Sequence, residues 1–272
     1  MTPQEELNDL RCYIKLTKEQ AEKRDLLEGF LSFPYKCLYI DADSILYKVA
    51  NYGYQEGKHV AEMYEDYQAQ VREIGNTIEE EQLYIDYYVH FFSTCSRNFR
   101  YDIDKDYKAN RERNDFTKFV KELKWKFIGI LEYEGGLTKY SDVYEADDLI
   151  AEAVRLNEKH YPIVASIDKD LKQIPCCHFD YYKKKVGVDE FGGDIREFKG
   201  FSYTTPQEGY EMLLEMLLIG DTSDNIKGVK GIGKVKAKKA LKGKSRFIQL
   251  LTVARLYNDM DRLRANIKLM KL

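Results

Sequence analysis

Acidic residues recur in four groups along this chain, and each group stands where an apolar segment ends or an amphipathic helix begins. Acids this distant in sequence would repel one another if the fold gathered them, unless divalent cations neutralised their charge. The pattern therefore favours a fold that collects these acids around metal ions. The groups are Asp41 with Asp43, Glu145 with Asp147 and Asp148, Asp168 with Asp170, and Asp221 with Asp224.

The apolar segments that precede these acids are typical of buried strands. Residues 36–40 lead directly into Asp41, residues 162–167 lead into Asp168, and residues 87–92 form a further candidate strand. Short apolar runs of this kind are typical of parallel strands covered on both faces. In open α/β sheets, ligands bind beyond the carboxyl ends of such strands. We predict an α/β fold with a mostly parallel central sheet flanked by helices.

Helical patterns alternate with the predicted strands and divide the chain into three regions. The chain has 272 residues, of which 44% are hydrophobic, enough for one sizeable core with a modest appendage. The expected regions are a helical leader (1–36), an α/β core (37–205) and a C-terminal helix-loop-helix region (206–272). The predicted helices cover residues 4–29, residues 60–84, a segment that begins near Asp106 and runs through Trp125, a segment opened by residues 142–148, and residues 208–219, the last ended by Gly220.

The composition disfavours several classes of protein. Uninterrupted apolar stretches stay short of the ~20 residues that span a bilayer, so we expect no membrane association and an intracellular, cytoplasmic location. The five cysteines show no CxxC spacing, which disfavours a disulfide framework or a zinc site. The four histidines are scattered without metal-ligand spacing, which disfavours a His-based nucleophilic triad.

The acids have the chemistry of a magnesium site. Magnesium prefers hard oxygen ligands, and a two-ion phosphodiesterase needs several carboxylates in one cleft. Taken singly, each acid could be a helix N-terminal, turn or N-cap residue. Their joint occurrence favours a metal-dependent enzyme that acts on phosphates. The eight candidate ligands are Asp41, Glu145, Asp147, Asp148, Asp168, Asp170, Asp221 and Asp224.

A glycine loop followed by a lysine-rich helix comes after the last acids. The spacing GxxGxG in residues 228–233 fits neither a dinucleotide-binding loop nor a Walker loop. Its backbone amides can instead hold a DNA phosphate at a helix N-terminus. Between Lys227 and Arg246 there are nine basic residues and no acid, although the net charge of the chain is -3. The simpler alternative is a solvated lysine-rich helix. The candidate DNA-binding residues are Gly228, Gly231, Gly233, Lys234, Lys236 and Lys238.

Together these motifs resemble the 5′-nuclease family of structure-specific exonucleases and flap endonucleases, especially the compact bacteriophage type with a PIN-like core. The resemblance spans residues 38 to about 241, and its motifs occur in the family's order. The matching segments are Leu38–Ile45, Tyr107–Arg111, Tyr144–Leu149, Ala165–Leu171, Gly220–Asn225 and Gly228–Gly233.

The resemblance implies roles for individual residues. Asp41, Glu145 and Asp147 would hold a first metal ion. Lys108 and Arg111, on one face of the helix expected from near Asp106, would be aimed at the scissile phosphate and stabilise developing charge. The glycine loop would be a helix-hairpin-helix motif that grips duplex DNA through a bound K⁺ ion. The residues implied for the second metal ion are Asp148, Asp168, Asp170, Asp221 and Asp224.

The activity implied by the resemblance is Mg²⁺-dependent hydrolysis at 5′ ends, nicks or flaps of duplex DNA or RNA–DNA hybrids, by two ions for which Mn²⁺ can substitute. The product would carry a 5′ phosphate. The resemblance further implies a monomer that works with replication proteins, in the host cytoplasm if a phage encodes it.

Two departures from the family pattern leave alternatives open. Cys95 occupies the position where family members usually carry an aspartate, which would weaken the first metal site. Few residues separate Arg113 from Glu145, so the arch that threads a free 5′ end in larger relatives would be small. A catalytically weak or inactive DNA-binding protein of this fold is therefore one alternative. A PIN-type ribonuclease is another, disfavoured because such domains are generally smaller and lack the glycine loop.

Overall fold

The computed structural model describes residues 37–80, 83–157, 162–182, 184–188, 194–198 and 200–272. The predicted leader (1–36), with its helix over residues 4–29, lies outside the described residues.

A six-stranded sheet forms the centre of the described structure. The strands are β1 (Cys37–Asp41), β2 (Tyr87–Ser93), β3 (Leu137–Ser141), β4 (Ile163–Ala165), β5 (Cys177–Phe179), β6 (Lys184–Val188), β7 (Asp194–Phe198), β8 (Phe201–Tyr203), β9 (Gly220–Asp221) and β10 (Ile226–Lys227). The central sheet has the order β3-β2-β1-β4-β5-β8, in which only β8 is antiparallel to its neighbour. The pairs β6-β7 and β9-β10 form separate antiparallel ribbons. The predicted α/β class and the strands at β1, β2 and β4 are confirmed.

Helices cover both faces of this sheet and form a further group toward the C-terminus. They are α1 (Ala42–Glu56), α2 (Val60–Glu80), α3 (Arg100–Ile103), α4 (Asp115–Tyr133), α5 (Ala146–Leu156), α6 (Pro206–Ile219), α7 (Lys234–Leu241), α8 (Arg246–Tyr257) and α9 (Met260–Met270), with a 3-10 turn at Asp170–Gln173. Among the described residues, none of these helices combines the length and the apolar character needed to cross a membrane.

The two faces of β1 carry the two helical layers. Leu38 and Ile40 pack in one apolar cluster with α1, α2 and α4, whereas Cys37 and Tyr39 pack in another with α5. Because both faces are covered, all five residues of β1 are buried. The parallel pairing of β1 with β2 and β4 then brings the carboxyl ends of all three strands to the same edge of the sheet.

The C-terminal helices share a third apolar cluster and pack against the α/β core. Leu214, Leu217, Val253 and Leu263 are fully buried within it. Helix α9 contacts α3 and α6, and α6 contacts the 3-10 turn that follows β4. The helical group is therefore held against the edge of the sheet where the acids are.

The prediction that a helix begins near Asp106 is wrong. Residues 105–110 form turns and residue 111 a bend, because Lys108 has a φ of 54°, in the left-handed region that interrupts a right-handed helix. Helix α4 begins at Asp115, after the side chain of Asn114 accepts a 3.0 Å hydrogen bond from the Thr117 amide. Lys108 and Arg111 therefore project from a turn and not from a helix face.

Candidate active site

A cleft of about 400 Å³ opens at the carboxyl ends of β1, β2 and β4. Asp41, Glu145, Asp147 and Asp168 line it together. A smaller adjoining cavity shares Glu145 and Asp147 with this cleft and adds the remaining acids, except Asp148, which lines neither space. The acids added by the smaller cavity are Asp170, Asp221 and Asp224.

Asp41 is fixed at the junction of β1 and α1. It is 4% exposed, caps α1, and accepts hydrogen bonds from the hydroxyls of Ser44 at 2.5 Å and Ser166 at 2.7 Å. Burial, together with the negative charges of Asp43 and Asp168, raises the pKa of Asp41 to about 6 against the opposing hydrogen bonds.

Asp147 is the most crowded acid of the cleft. It stands in the first turn of α5, within the field of Asp41, Asp168 and Glu145. Burial and these three carboxylates raise the pKa of Asp147 well above its ordinary value. Burial and the neighbouring carboxylates therefore disfavour a negative charge at this position.

Asp148 is placed differently from its neighbours. It is fully buried, and its two oxygens accept hydrogen bonds of 2.6 and 3.0 Å from the guanidinium of Arg100. It also accepts the amide of Glu145 at 3.1 Å, which closes the N-terminal turn of α5. Arg100 in turn donates from Nε to the carbonyl of Leu269 at 2.8 Å. Asp148 is therefore part of a buried ion pair that joins α5, α3 and α9.

Asp168 and Asp170 follow β4 in a tight, self-bonded loop. The Asp168 amide donates to the Ser166 hydroxyl at 2.9 Å, and the Asp170 amide donates to Asp168 Oδ1 at 2.8 Å. Burial and the charge of Asp168 raise the pKa of Asp170 to about 6, with Lys169 opposing the shift. This loop places the two acids on either side of the boundary between the cleft and the smaller cavity.

Asp221 ends β9, and Asp224 lies in the turn between β9 and β10. Partial burial opposes ionisation of Asp221, but the hydroxyl and amide of Ser223, at 2.6 and 2.8 Å, lower its pKa overall. Asp224 accepts hydrogen bonds from Arg111 at 2.7 Å and from the Tyr107 hydroxyl at 2.9 Å. The turn that carries Lys108 and Arg111 is thereby held against these acids.

The two basic residues predicted from the sequence lie in the cleft, paired with acids. Lys108 Nζ lies 2.5 Å from Glu145 Oε1, and Arg111 Nη2 lies 2.7 Å from Asp224 Oδ1. The Lys108 side chain is 13% exposed and that of Arg111 is 56% exposed. Arg111 is therefore the more accessible of the two cations.

The donor chemistry of the cleft suits a hard divalent cation. Among the described residues, no three His, Cys, Asp or Glu side chains form a ready-made ligand set for a metal ion. Several carboxylates are instead paired with lysine, arginine, tyrosine or serine donors. However, Asp41, Asp147 and Asp170 have raised pKa values because their charges crowd together in a buried space. Crowded carboxylate oxygens of this kind fit Mg²⁺ or a similar ion.

Cys95 faces the same cleft. It is partly buried, and its thiol lies in the field of Glu145 and Asp148. Burial first, and then these two carboxylates, raise the pKa of Cys95 to about 12. The side chain is therefore a neutral thiol at physiological pH, beside the acids implied for the first metal ion.

Several residues that shape the cleft escaped the sequence analysis. Lys124 on α4 pairs with Asp43 at 2.7 Å and donates to the Ser93 carbonyl at 2.7 Å, so Asp43 has its own counter-charge. Asn98 donates to Glu145 at 2.9 Å. An amphipathic helix pattern does not reveal which lysine points inward. The sequence analysis gives Arg100 no role, although Arg100 is buried and central to the site.

The glycine loop and the lysine helix lie where the sequence predicts them. Gly233 precedes α7, in which Ala237 and Leu241 are buried while Lys234, Lys236 and Lys238 are exposed. Lys236 donates to the Gly231 carbonyl at 2.9 Å. The loop therefore lies between α6 and α7, with its lysines turned to solvent.

The mostly parallel sheet thus carries an acidic cleft at its carboxyl edge, and a helix-loop-helix unit packs beside it. The family model described as "5'-3' exonuclease, N-terminal resolvase-like domain" matches residues 36–194. This match covers more than half of the chain, and the chain belongs to the 5′-3′ exonuclease family. The family resemblance found in the sequence is thus confirmed.

Curated relatives agree with this membership. The chain is 30% identical over 198 residues to a 5′-3′ exonuclease of Mycoplasma pneumoniae, with 69% of this chain and 62% of the relative covered. It is 27% identical over 199 residues to DNA polymerase I of Caldicellulosiruptor bescii, with 69% of this chain but 21% of the relative covered. The chain thus spans less than two thirds of the length of these relatives.

Solved structures with the same fold include two of the bacteriophage T5 nuclease. A T5 5′-exonuclease with bound zinc ions matches with a TM-score of 0.58 at 16% identity, covering 87% of this chain and 89% of that chain. A T5 flap endonuclease pseudo-enzyme-product complex with DNA and metal ions matches with a TM-score of 0.55 at 16% identity, covering 86% and 88%. At this identity the similarity establishes the fold.

Proposed function

We propose that this chain is a metal-dependent 5′-nuclease that hydrolyses phosphodiester bonds at 5′ ends, nicks or flaps of duplex DNA, and of RNA–DNA hybrids. The observation that carries the proposal is the convergence of seven of the eight predicted ligands on two adjoining spaces that share Glu145 and Asp147. Family membership supports the same reaction class, as does the T5 neighbour described with DNA and metal ions.

We assign the proposed ligands of each metal ion from the acids that line each of the two spaces. Asp41, Glu145, Asp147 and Asp168 would hold one ion, while the shared acids and the rest of the smaller cavity would hold the other. Two bound Mg²⁺ ions would supply an activated water and stabilise the leaving 3′ oxygen, with Mn²⁺ as a substitute. Asp148 would orient Glu145 and Asp147 through Arg100 and the first turn of α5. The acids assigned to the second ion, besides the shared pair, are Asp170, Asp221 and Asp224.

Lys108 and Arg111 would bind the scissile phosphate. Both line the larger cleft, and their charges would stabilise the negative charge that develops on the phosphate oxygens. The β9-β10 turn and the Tyr107 hydroxyl hold this basic segment close to the acids. Substrate phosphate would therefore meet cationic side chains on one wall and carboxylates on the other.

The helix-loop-helix unit would grip the duplex away from the cut. The exposed lysines of α7 and the backbone amides of the glycine loop suit a DNA phosphate, and a K⁺ ion in the loop would aid this contact. The proposed organisation is a leader (1–36), a nuclease core (37–205) and a DNA-binding region (206–272). We further propose an intracellular monomer that acts with replication proteins, as the DNA polymerase I relatives suggest.

The test compares substrates with and without metal. Pure protein is incubated with end-labelled flap, nicked duplex, RNA–DNA hybrid and single-stranded RNA, in Mg²⁺, Mn²⁺ or EDTA. We expect 5′-phosphorylated products from the first three substrates only with metal, and a loss of several orders of magnitude in Asp168→Asn with DNA affinity retained. The matched control is Asp102→Asn, whose carboxylate is 87% exposed and lies outside the cleft.

A second candidate function is a weak or inactive DNA-binding protein, which the neutral thiol of Cys95 in the cleft favours. Metal-independent binding without cleavage of any substrate would support this candidate. Cleavage confined to RNA would instead support a PIN-type ribonuclease.

A further inference from the structure

The carboxylate of Glu145 is already surrounded by donors. Asn98 and Lys108 approach Oε1 at 2.9 and 2.5 Å, and the Tyr107 hydroxyl approaches Oε2 at 3.1 Å. The Arg100 guanidinium lies 3.7 Å from Oε2. A carboxylate offers about four lone-pair positions, so a metal ion can bind Glu145 fully only if a donor leaves.

Three of these four donors are anchored. Asn98 is 5% exposed, and its Oδ1 accepts the Arg100 amide at 3.0 Å. Arg100 is 2% exposed and is held by both oxygens of Asp148. Tyr107 is 2% exposed and belongs to the C-terminal apolar cluster. None of the three can withdraw without disrupting a buried contact.

Lys108 is the donor that can withdraw. Its ammonium is at the end of a flexible four-carbon stem, and it lines the open cleft. The same ammonium lies 3.7 Å from Asp224 Oδ2, so it stands between carboxylates that belong to different segments of the chain. A divalent ion that joined Glu145 to Asp224 would need this space.

We infer that the Lys108 ammonium is an internal substitute for a divalent cation, which metal binding displaces and thereby frees to contact DNA phosphate. The inference depends on the proposed function only in that the cleft binds divalent ions. Displacement couples metal binding and DNA binding positively. A phosphate that binds Lys108 leaves Glu145 open to a metal ion, and a metal ion at Glu145 releases Lys108 to bind phosphate. By linkage, each ligand then tightens the binding of the other by the same factor.

A general electrostatic effect is the competing explanation, since removing any nearby positive charge strengthens cation binding. Lys124 provides the matched control. Its side chain is 14% exposed, close to the 13% of Lys108, and its ammonium lies 2.7 Å from Asp43 in the same cleft. Lys124→Met removes the same charge without clearing the space between Glu145 and Asp224.

The experiment measures Ca²⁺ binding to the metal-stripped full chain by titration calorimetry, without DNA. Ca²⁺ is the probe because it takes the same hard oxygen ligands. We expect Lys108→Met to tighten Ca²⁺ binding about tenfold and Lys124→Met less than about twofold, since couplings of this kind are typically 5 to 150-fold. Lys108→Asn is the second variant, because asparagine tolerates the left-handed backbone at this position.

The second measurement repeats the titration with a saturating duplex oligonucleotide. We expect DNA to tighten Ca²⁺ binding in the wild-type chain and to lose most of that effect in Lys108→Met. Unchanged or weaker Ca²⁺ binding in both Lys108 variants would overturn the inference. An increase in Ca²⁺ affinity in Lys124→Met equal to that in Lys108→Met would also overturn it, as would the absence of Ca²⁺ binding in every variant. A chain that shows the displacement but cuts no DNA would refute the proposed nuclease instead.

Discussion

At the scale of single residues, some acids of the cleft are bound by an arginine and others have a raised pKa. Asp148 has Arg100, and Asp224 has Arg111. Asp41, Asp147 and Asp170 are acids whose pKa values rise because burial and neighbouring carboxylates disfavour their charge. The second set therefore stores electrostatic strain that a divalent ion would relieve, which ties folding stability to metal binding.

This division predicts a pH dependence for the metal-free chain. The pKa of Asp41 rises from 3.8 to about 6 on folding, so its contribution to stability is complete below pH 3.8 and is lost as the pH rises through 6. Asp41→Asn keeps an N-cap and cannot ionise. As the pH rises from about 4 to 7 in EDTA, the free energy of unfolding of Asp41→Asn should increase relative to that of the wild type by roughly 1 to 3 kcal/mol.

Urea unfolding at several pH values checks this expectation. The informative quantity is the slope of the difference between the two proteins, because a constant offset reflects only the changed hydrogen bonds to Ser44 and Ser166. Parallel stability profiles across this pH range would show that Asp41 ionises normally.

Cys95 supports a second prediction at this scale. Cys95→Asp places a carboxylate in the field of Glu145 and Asp148, where it repels its neighbours without metal and can help to hold an ion. We expect the Mg²⁺ concentration for half-maximal cleavage to fall and the metal-free chain to lose stability. Cys95→Ser, which adds no charge, should change neither quantity in this way, and an unchanged metal titration of Cys95→Asp would contradict the idea.

At the scale of elements, the junction of α6 with the glycine loop is packed too closely for side chains. A Cβ on Gly228 would lie 2.3 Å from the Ile219 carbonyl carbon and 2.4 Å from the Gly220 nitrogen. Gly220 itself has a φ of 81°, which ends α6 and turns the chain into β9. The position of Asp221 and Asp224 therefore depends on backbone contacts between Gly220 and Gly228.

Alanine substitutions at Gly228 and Gly233 separate the effect of a steric clash from the effect of losing a glycine's backbone flexibility. We expect Gly228→Ala to destabilise the chain by about 1 to 3 kcal/mol, since only backbone movement can relieve the clash. Gly233→Ala should be near neutral in unfolding experiments, because in the described part of the chain no atom beyond its two neighbouring residues lies within 4 Å of the added Cβ. Equal stability of the two variants would show that the corner adjusts freely.

The exposed lysines of α7 predict a salt-dependent contact with DNA. Replacing Lys234 and Lys236 with alanine should weaken duplex binding and reduce the slope of log K against log salt by roughly 1 to 2, since each lost phosphate contact removes about 0.9. Lys118→Ala on α4, a side chain 73% exposed, is the charge-matched control for a single site. An unaltered slope in the double variant would remove α7 from the DNA interface.

At the scale of the whole molecule, the sequence predicts best where local pattern and final position coincide. Apolar runs followed by Asp41 and Asp168 identify strand ends, and strand ends of a parallel sheet meet at one edge. By contrast, β3 is an edge strand of mixed burial and gives no clear apolar run. The strands that carry the cleft were thus predictable, and the edge strand was not.

Errors in the site arose from contacts between distant parts of the chain. The Lys108 amide donates to the Asp224 carbonyl at 3.0 Å, and this bond across 116 residues accompanies the turn that replaces the expected helix. Similarly, the sequence around Asp148 does not predict its ion pair with Arg100, which lies 48 residues earlier. Residue type and spacing identified the acids, but not which of them the protein already neutralises.

The bond from Arg100 to the Leu269 carbonyl has a consequence for the modularity of the chain. One guanidinium joins Asp148 of α5 to the last helix of the C-terminal group, and its acceptor there is a backbone oxygen. Any residue at position 269 would supply that oxygen, provided that the chain follows the same path. Exchange of the C-terminal helices between relatives should therefore tolerate wide differences in sequence, yet fail when an insertion or deletion moves this single carbonyl.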